Sequence, residues 1–219
     1  MRAGIVTGGT VTPGFIRRYC EEKKIDFWIG ADKGMEAFAA SGIRPNCLVG
    51  DFDSAREEVL AFYRKEDGIE WQVFRPEKDE TDTELAIRRA LAEKPEEICL
   101  FGGTGTRLDH VLGTVHVMKR ALDAGVYCEM LDPYNRLYLI DRNRTFYKKE
   151  LYGPYVSFLP FGGPVHRVTL TGFRYPLREA ELFPGSSLTV SNELCEAEGR
   201  LEKGEGMLLV AESRDLPLA

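Results

Sequence analysis

The sequence predicts an open α/β sheet, mostly parallel, followed by a smaller antiparallel β domain. Three observations carry that reading. Five short apolar runs, AGIVTG, DFWIGAD, CLVGDFD, EICLFGG and VYCEMLD, are almost continuously hydrophobic, as strands covered on both faces must be. Helical patterns separate them, and strand alternating with helix implies parallel pairing through right-handed crossovers. Near residue 142 the texture changes to short segments with period-two alternation, split by glycine and proline, which reads as an antiparallel sandwich or half-barrel.

The first run begins MRAGIVTGG; glycines break it after a few residues, so it reads as a first strand and not as a signal peptide. EAFAASG ends on Gly42, a C-cap expectation. SAREEVLAFYRKEDG opens with Ser54 and Glu57, and TDTELAIRRALAEK with Thr81 and Glu84; both spacings fit a capping box. In HVLGTVHVMKRALDAG, Val111, Val115, Met118 and Leu122 recur at helical spacing, predicting one helix. After the polar stretch DRNRTFYKKE, the segments YVSFLPF, HRVTLTGF, SSLTVSNEL and MLLVAES read as strands. Within the second of these, Val168 and Leu170 share one face, Thr169 and Thr171 the other.

Of the 219 residues, 43% are hydrophobic and 29% charged, an ordinary soluble globular balance. No apolar run approaches the roughly 20 residues of a membrane span. The net charge of −6 comes without a dense basic patch, which argues against a nucleic-acid partner. Cys20, Cys47, Cys99, Cys128 and Cys195 form no CxxC pair and read as buried, reduced thiols of a cytoplasmic protein.

Chemistry gathers at four strand ends: Thr7-Gly8-Gly9, Gly30 to Gly34, Asp51 to Ser54, and Phe101 to His110. In an open α/β sheet these ends line one crevice, where glycines admit a ligand to the backbone and helix N-termini offer N–H groups to phosphate. The same edge carries Asp32, Asp51, Asp53, Asp79, Asp82 and Asp109. In VGDFDS, an extended strand end would send the Asp51 and Asp53 carboxylates to one side and Phe52 to the other. Ser54 suffices as a helix cap, leaving both carboxylates for a cation. Oxygen ligands without histidine or cysteine suit Mg²⁺. Lys33, Lys78 and Arg107 sit in the same motifs, and the mixture fits a Mg–nucleotide site. The GxxxxGK[ST] and GxGxxG motifs are both absent, which excludes a P-loop and weakens a dinucleotide reading. His110 lies in the fourth loop; His116 falls off its helix's apolar stripe and His166 on a strand pattern, so both read as structural.

Taken in order, GADKG, GDFDS, KDETDTELA, GGTGTRLDH and a later SNE resemble the thiamin pyrophosphokinase family, over about residues 3 to 210. The resemblance implies a Rossmann-like ATP- and Mg²⁺-binding domain at 1–142 and a thiamine-binding β-sandwich at 143–219. It implies transfer of the pyrophosphoryl group of ATP to the hydroxyl of thiamine, giving thiamine diphosphate and AMP, in a homodimer with its sites at the subunit interface. Carried onto this chain, Asp51, Asp53 and Asp82 match the Mg²⁺ ligands, and with Arg107 and Asp109 the catalytic set. Asp32, Asp79, Thr81, Gly102, Gly103 and His110 match the ATP and phosphate neighbours, and Ser191 and Asn192 the thiamine pocket. A base near the alcohol, Asp82 or Asp109, would help remove its proton, although a loose transition state needs no strong base. A nucleotide-binding module without turnover, or a transferase for another heterocyclic alcohol, shares the same edge. Three positions depart from the family pattern. Lys33 replaces a glycine, Thr106 replaces the glycine before Arg107, and Met207-Leu208-Leu209 stands where some members carry a tryptophan.

Overall fold

The computed structural model describes residues 1–218, and the chain divides into two compact units, Met1–Pro133 and Tyr134–Ala219. The first unit alternates strand and helix: β1 (Arg2–Val6), α1 (Pro13–Glu22), β2 (Phe27–Ala31), α2 (Gly34–Ser41), β3 (Cys47–Gly50), α3 (Glu57–Tyr63), β4 (Glu70–Val73), α4 (Asp82–Ala92), β5 (Glu97–Phe101), α5 (Leu108–Val117), α6 (Lys119–Asp123) and β6 (Tyr127–Leu131). All its strand pairs are parallel, in the order β6-β5-β1-β2-β3-β4. The chain therefore builds outward from β1 to β4, then returns to place β5 on the other side of β1.

The five apolar runs are the five interior or near-interior strands, and each is buried along nearly all its length. Phe101 of β5 shows why: its ring meets Tyr19 at 5.2 Å, Trp28 at 6.0 Å and Phe15 at 6.1 Å between centroids. Each such side chain contributes about 1.5–3 kcal/mol of transfer free energy. Gly42 closes α2 in the left-handed region, at φ 70°, as its position after the last apolar residue predicts.

Several elements differ from the sequence reading. Helix α1 escaped it, although Pro13 opens the helix and Phe15, Ile16 and Tyr19 are its buried face. Strand β4 has the alternating, half-exposed text EWQV of a sheet edge and no apolar run. The single helix expected at 110–125 is two, α5 and α6, meeting at Met118. There Ala121 N–H bonds to the Met118 carbonyl at 3.1 Å, a tighter 3₁₀-type closure. Thr81 caps α4, its Oγ1 accepting from Glu84 N–H at 3.2 Å. The Glu84 carboxylate pairs with Arg120 instead of returning to the cap.

The second unit holds β7 (Asn135–Ile140), β8 (Arg144–Tyr147), β9 (Tyr155–Phe161), β10 (Val165–Thr171), β11 (Leu177–Leu182), β12 (Asn192–Glu193), β13 (Glu198–Glu202) and β14 (Met207–Ser213). They form two antiparallel sheets, β12-β9-β14-β7 and β11-β10-β13-β8. Phe146 and Phe158, one from each sheet, meet Phe173 between them with centroids 5.5–5.8 Å apart, so the unit is a sandwich. The polar stretch DRNRTFYKKE contains β8, and SSLTVSNEL contributes only the two residues of β12. Glu212 is buried, and its carboxylate accepts from Tyr138 Oη at 2.6 Å, Tyr152 N–H at 2.7 Å and Arg136 at 2.5 Å, as a buried charge requires.

All five cysteines are free thiols, but only Cys47, Cys99 and Cys128 are buried; Cys20 is half-buried and Cys195 exposed. Burial pushes the Cys47 thiol up to about 12. Among the described residues no helix is long and apolar enough to cross a membrane.

Candidate active site at the carboxyl edge of the parallel sheet

The order of the parallel sheet reverses between β1 and β5, and a crevice outside the carboxyl ends of two such strands is the expected ligand site. A cleft of about 540 Å³ lies there, lined by the segments that follow β1, β2, β3, β4 and β5. The loops after β1 and β5 are zipped together: Thr7 N–H bonds to the Phe101 carbonyl at 2.9 Å, Gly9 N–H to Gly102 at 3.0 Å and Thr10 N–H to Thr104 at 2.7 Å. A Cβ on Gly9 would stand 2.1 Å from the Gly102 oxygen, and Gly102 itself has φ 72°. Glycine is needed at both positions for the two backbones to approach and turn.

The loop after β2 places Asp32 at φ 49°, a conformation non-glycine residues adopt rarely. Its Oδ2 accepts from Ser54 Oγ at 2.5 Å, while its Oδ1 is buried with no hydrogen-bond partner. Ser54 is therefore not the cap of α3; that helix starts at Glu57, with Arg56 in the cap position and no side-chain cap. The Asp51–Asp53 segment is a turn and not an extended strand end, since β3 stops at Gly50. Phe52, at φ 61°, turns inward and meets Trp71 at 5.3 Å. Asp51 Oδ1 accepts from Asp53 N–H at 3.1 Å. Turn closure, not pleating, brings the carboxylates together: oxygens of Asp32, Asp51 and Asp53 all lie within 4.8 Å of one another.

Their charges act on each other. The Asp51 charge, ahead of lesser contributions from Asp32 and Asp82, raises the Asp53 carboxyl. Burial alone would raise Asp51 too, but the Asp53 N–H and the Lys78 ammonium outweigh it and hold that carboxyl low. An orphaned buried oxygen amid three carboxylates fits a hard divalent cation such as Mg²⁺. Asp82, at the start of α4, stands outside the trio. Lys78 Nζ lies 2.8 Å from Asp82 Oδ1 and 3.5 Å from Asp51 Oδ2, so one ammonium faces both carboxylates. Burial leads the effects on Asp82 and, despite Lys78, leaves its carboxyl raised.

The loop after β5 presents Thr104, Thr106 and Arg107 to the cleft, and the first turn of α5 presents His110. Arg107 is exposed and grips both oxygens of Asp109, at 3.2 and 2.5 Å. Asp53, Asp79 and Asp109 are exposed and do not line the cleft, whereas Asp32, Asp51, Thr81, Asp82, Gly102 and Gly103 do. Thr10 and Thr83 line it as well; Thr83 stands within the KDETDTELA stretch on α4, and Thr10 just past the first glycine pair.

In the second unit Ser191 is exposed at φ 57°, its N–H bonded to Ser157 Oγ at 2.9 Å. Asn192 is buried, and its amide is spent on the chain: Oδ1 accepts from Tyr175 and Glu193 N–H at 3.0 and 2.9 Å, and Nδ2 donates to the Tyr175 carbonyl at 2.9 Å.

Both units match models of one family. Residues 20–130 match the thiamin pyrophosphokinase catalytic domain and residues 143–208 the thiamin pyrophosphokinase vitamin B1 binding domain. A thiamine pyrophosphokinase of Bacillus subtilis is 35% identical over 188 residues, covering 86% of this chain and 87% of that one. The crystal structure of thiamine pyrophosphokinase from Bacillus subtilis superposes with a TM-score of 0.87 at 32% identity, over 99% of this chain and 100% of that one. Thiamin pyrophosphokinase from Geobacillus thermodenitrificans superposes with 0.85 at 33% identity, over 98% of each. With both of its units matched and a relative this similar along most of its length, the chain belongs to the thiamin pyrophosphokinase family.

Proposed function

We propose that this protein is a thiamine diphosphokinase, moving the pyrophosphoryl group of ATP to the hydroxyl of thiamine to give thiamine diphosphate and AMP. The observation that carries the reading is the cleft at the sheet's switch point, where glycine loops and carboxylates converge in a chain of this family. Glycine loops of this kind accept polyphosphate, and Asp51 and Asp53, with Asp32, have the donors to hold Mg²⁺. When bound there, Mg²⁺ supplies neutralising charge to the triphosphate.

The residues of the chain divide the remaining work. Thr81, Gly102, Gly103 and His110 border the phosphates, and Arg107 meets charge as it develops on the leaving AMP oxygen. Asp82 is the better candidate to receive the thiamine proton. It lines the cleft, whereas Asp109 stands outside it with both oxygens committed to Arg107. Asp79 serves from outside the cleft, as an acidic neighbour of the α4 N-terminus. Around the thiamine, Ser191 offers its exposed hydroxyl, and Asn192, its amide engaged with Tyr175, holds that segment in place.

We further propose a homodimer with its sites at the subunit interface. Leu108 and Leu112, one turn apart on α5 and 71% and 63% exposed, offer an apolar stripe beside Arg107 for such a contact; sedimentation at micromolar concentration tests it. Buried free thiols suit a reducing compartment, so the cytoplasm is the proposed location. The activity is tested by incubating the protein with ATP and Mg²⁺, with and without thiamine, and separating the nucleotides. AMP that forms only with thiamine supports the reading; AMP formation indifferent to thiamine contradicts it.

A further inference from the structure

We propose that Glu36 is a positioning residue for the carboxylate trio. From α2 it grips the backbone of the turn that carries Asp51 and Asp53, and holds that turn against Asp32. The inference rests on the reading of the trio as a cation site given above, and goes beyond it in naming a residue outside the cleft on which the geometry of that site depends.

Three observations lead to it. First, the trio is assembled from two loops. Asp32 follows β2, whereas Asp51 and Asp53 follow β3, so their approach within 4.8 Å lasts only while the two loops stay together. Second, Glu36 bridges the same two segments with both its oxygens. Oε1 accepts from the Arg56 backbone N–H at 3.0 Å, and Oε2 from Arg56 Nε at 2.9 Å. Glu36 stands in the first turn of α2, four residues after Asp32. One short segment thus supplies a member of the trio and the grip on the turn that brings the other two. Third, the Glu36 side chain is 15% exposed and does not line the cleft. Its carboxylate is committed to the loop and is not offered to a ligand.

The grip supplies what the turn's own sequence does not. In a capping box, the third helical residue accepts the N–H of the N-cap residue. Helix α3 has Arg56 as its N-cap and Val59 at that third position, and valine offers no acceptor. The Arg56 N–H goes to Glu36 instead, so the cap ties one helix to its neighbour. Phe52 fixes the upstream half of the turn against Trp71. The downstream half, Asp53 and Ser54, is exposed, and its Ser54 hydroxyl bonds to Asp32 itself. The Glu36 bonds anchor this half from outside the trio. Three carboxylates without a cation repel one another, and a tether at the far end of the turn resists their separation. A carboxylate on a backbone N–H makes a charge-assisted bond, roughly twice as strong as a neutral one. The guanidinium of Arg56 is mostly in solvent and adds little, so the backbone bond carries the effect.

The test measures Mn²⁺ binding to the whole protein by electron paramagnetic resonance, with circular dichroism as the control for folding. Glu36→Ala should weaken Mn²⁺ binding by roughly tenfold or more, as removal of a group that orients a metal ligand does, with the spectrum unchanged. Glu36→Gln keeps an acceptor for the Arg56 N–H and should recover most of that loss. Arg56→Ala keeps the N–H and loses only an exposed ion pair, so its affinity should stay within about threefold of wild type. Should Glu36→Ala fail to fold, Arg56→Pro removes the same bond from the donor side, at a φ of −67° that proline adopts, and should show the same loss. Glu36→Ala or Arg56→Pro protein that melts lower yet binds Mn²⁺ as wild type does would make the contact a structural tie and overturn the inference alone. Wild type that binds no Mn²⁺ would overturn the trio as a cation site, and this inference with it.

Discussion

Three carboxylates within 4.8 Å of one another are a standing electrostatic cost in the metal-free protein, and the raised Asp53 carboxyl is its signature. Removing one of them relieves repulsion while dismantling the proposed cation site. Asp53→Asn should therefore melt no lower than wild type without metal, yet lose turnover by at least about a hundredfold, the trade-off expected of a strained active site. Asp51→Asn should abolish turnover with the circular dichroism spectrum unchanged. Near wild-type rates in either variant would remove the trio from the chemistry. Residue-scale reading of VGDFDS expected two carboxylates on one side of an extended strand end, whereas a turn after Gly50 brings them together. Phe52 at positive φ is what folds the segment into a turn, and nothing in a phenylalanine announces that conformation. Asp32, by contrast, was placed in the right loop, but its approach to Asp51 depends on Ser54, a contact spanning 22 residues that no local spacing encodes.

At the scale of elements, β4 and α4 are joined by Arg89, which contacts both Glu70 oxygens at 2.7–3.1 Å while lying over Phe27 at 4.8 Å. The Arg89 hydrogen bonds hold the Glu70 carboxyl below its ordinary value. A depressed carboxylate stabilises the fold above its unfolded pKa, about 4.3, and that contribution disappears as pH falls through the lower folded value. Glu70 is 42% exposed, so the contribution is screened and amounts to less than about 1 kcal/mol. Wild type should be more stable than Glu70→Gln by that margin at pH 7, with the gap closing toward pH 3 in urea titrations; a constant gap would mean that the carboxylate charge is irrelevant. This edge also shows where sequence reading stops. Interior strands declare themselves because both faces are buried and apolar, whereas β4 and β11 are half-exposed edges with charged text. The box-like spacing of Ser54 and Glu57 failed, the Ser54 hydroxyl donating to Asp32; that of Thr81 and Glu84 formed by half, Thr81 capping α4 while the Glu84 carboxylate pairs with Arg120.

At the scale of the molecule, the order of strands matters more than any motif. Four glycine-rich strand ends signalled one ligand edge in the sequence, and the reversal between β1 and β5 explains why the cleft lies there. The second unit was legible as antiparallel from period two alone, but β8 and β13 are short and charged, and β7 (NRLYLI) precedes residue 142, where the change of pattern was read. Its proposed share of function is acceptor binding. Ser191→Ala should raise the KM for thiamine several-fold while leaving that for ATP unchanged; equal effects on both would place Ser191 outside the acceptor pocket.

In the proposed reaction two phosphates move as one unit, and ATP labelled at the γ-phosphate tests this directly. After incubation with Mg²⁺ and thiamine, the label should appear in thiamine diphosphate, in amounts matching the AMP formed. Label in thiamine monophosphate with ADP as the partner product, or label released as inorganic phosphate, would mean single-phosphoryl chemistry and would contradict the account.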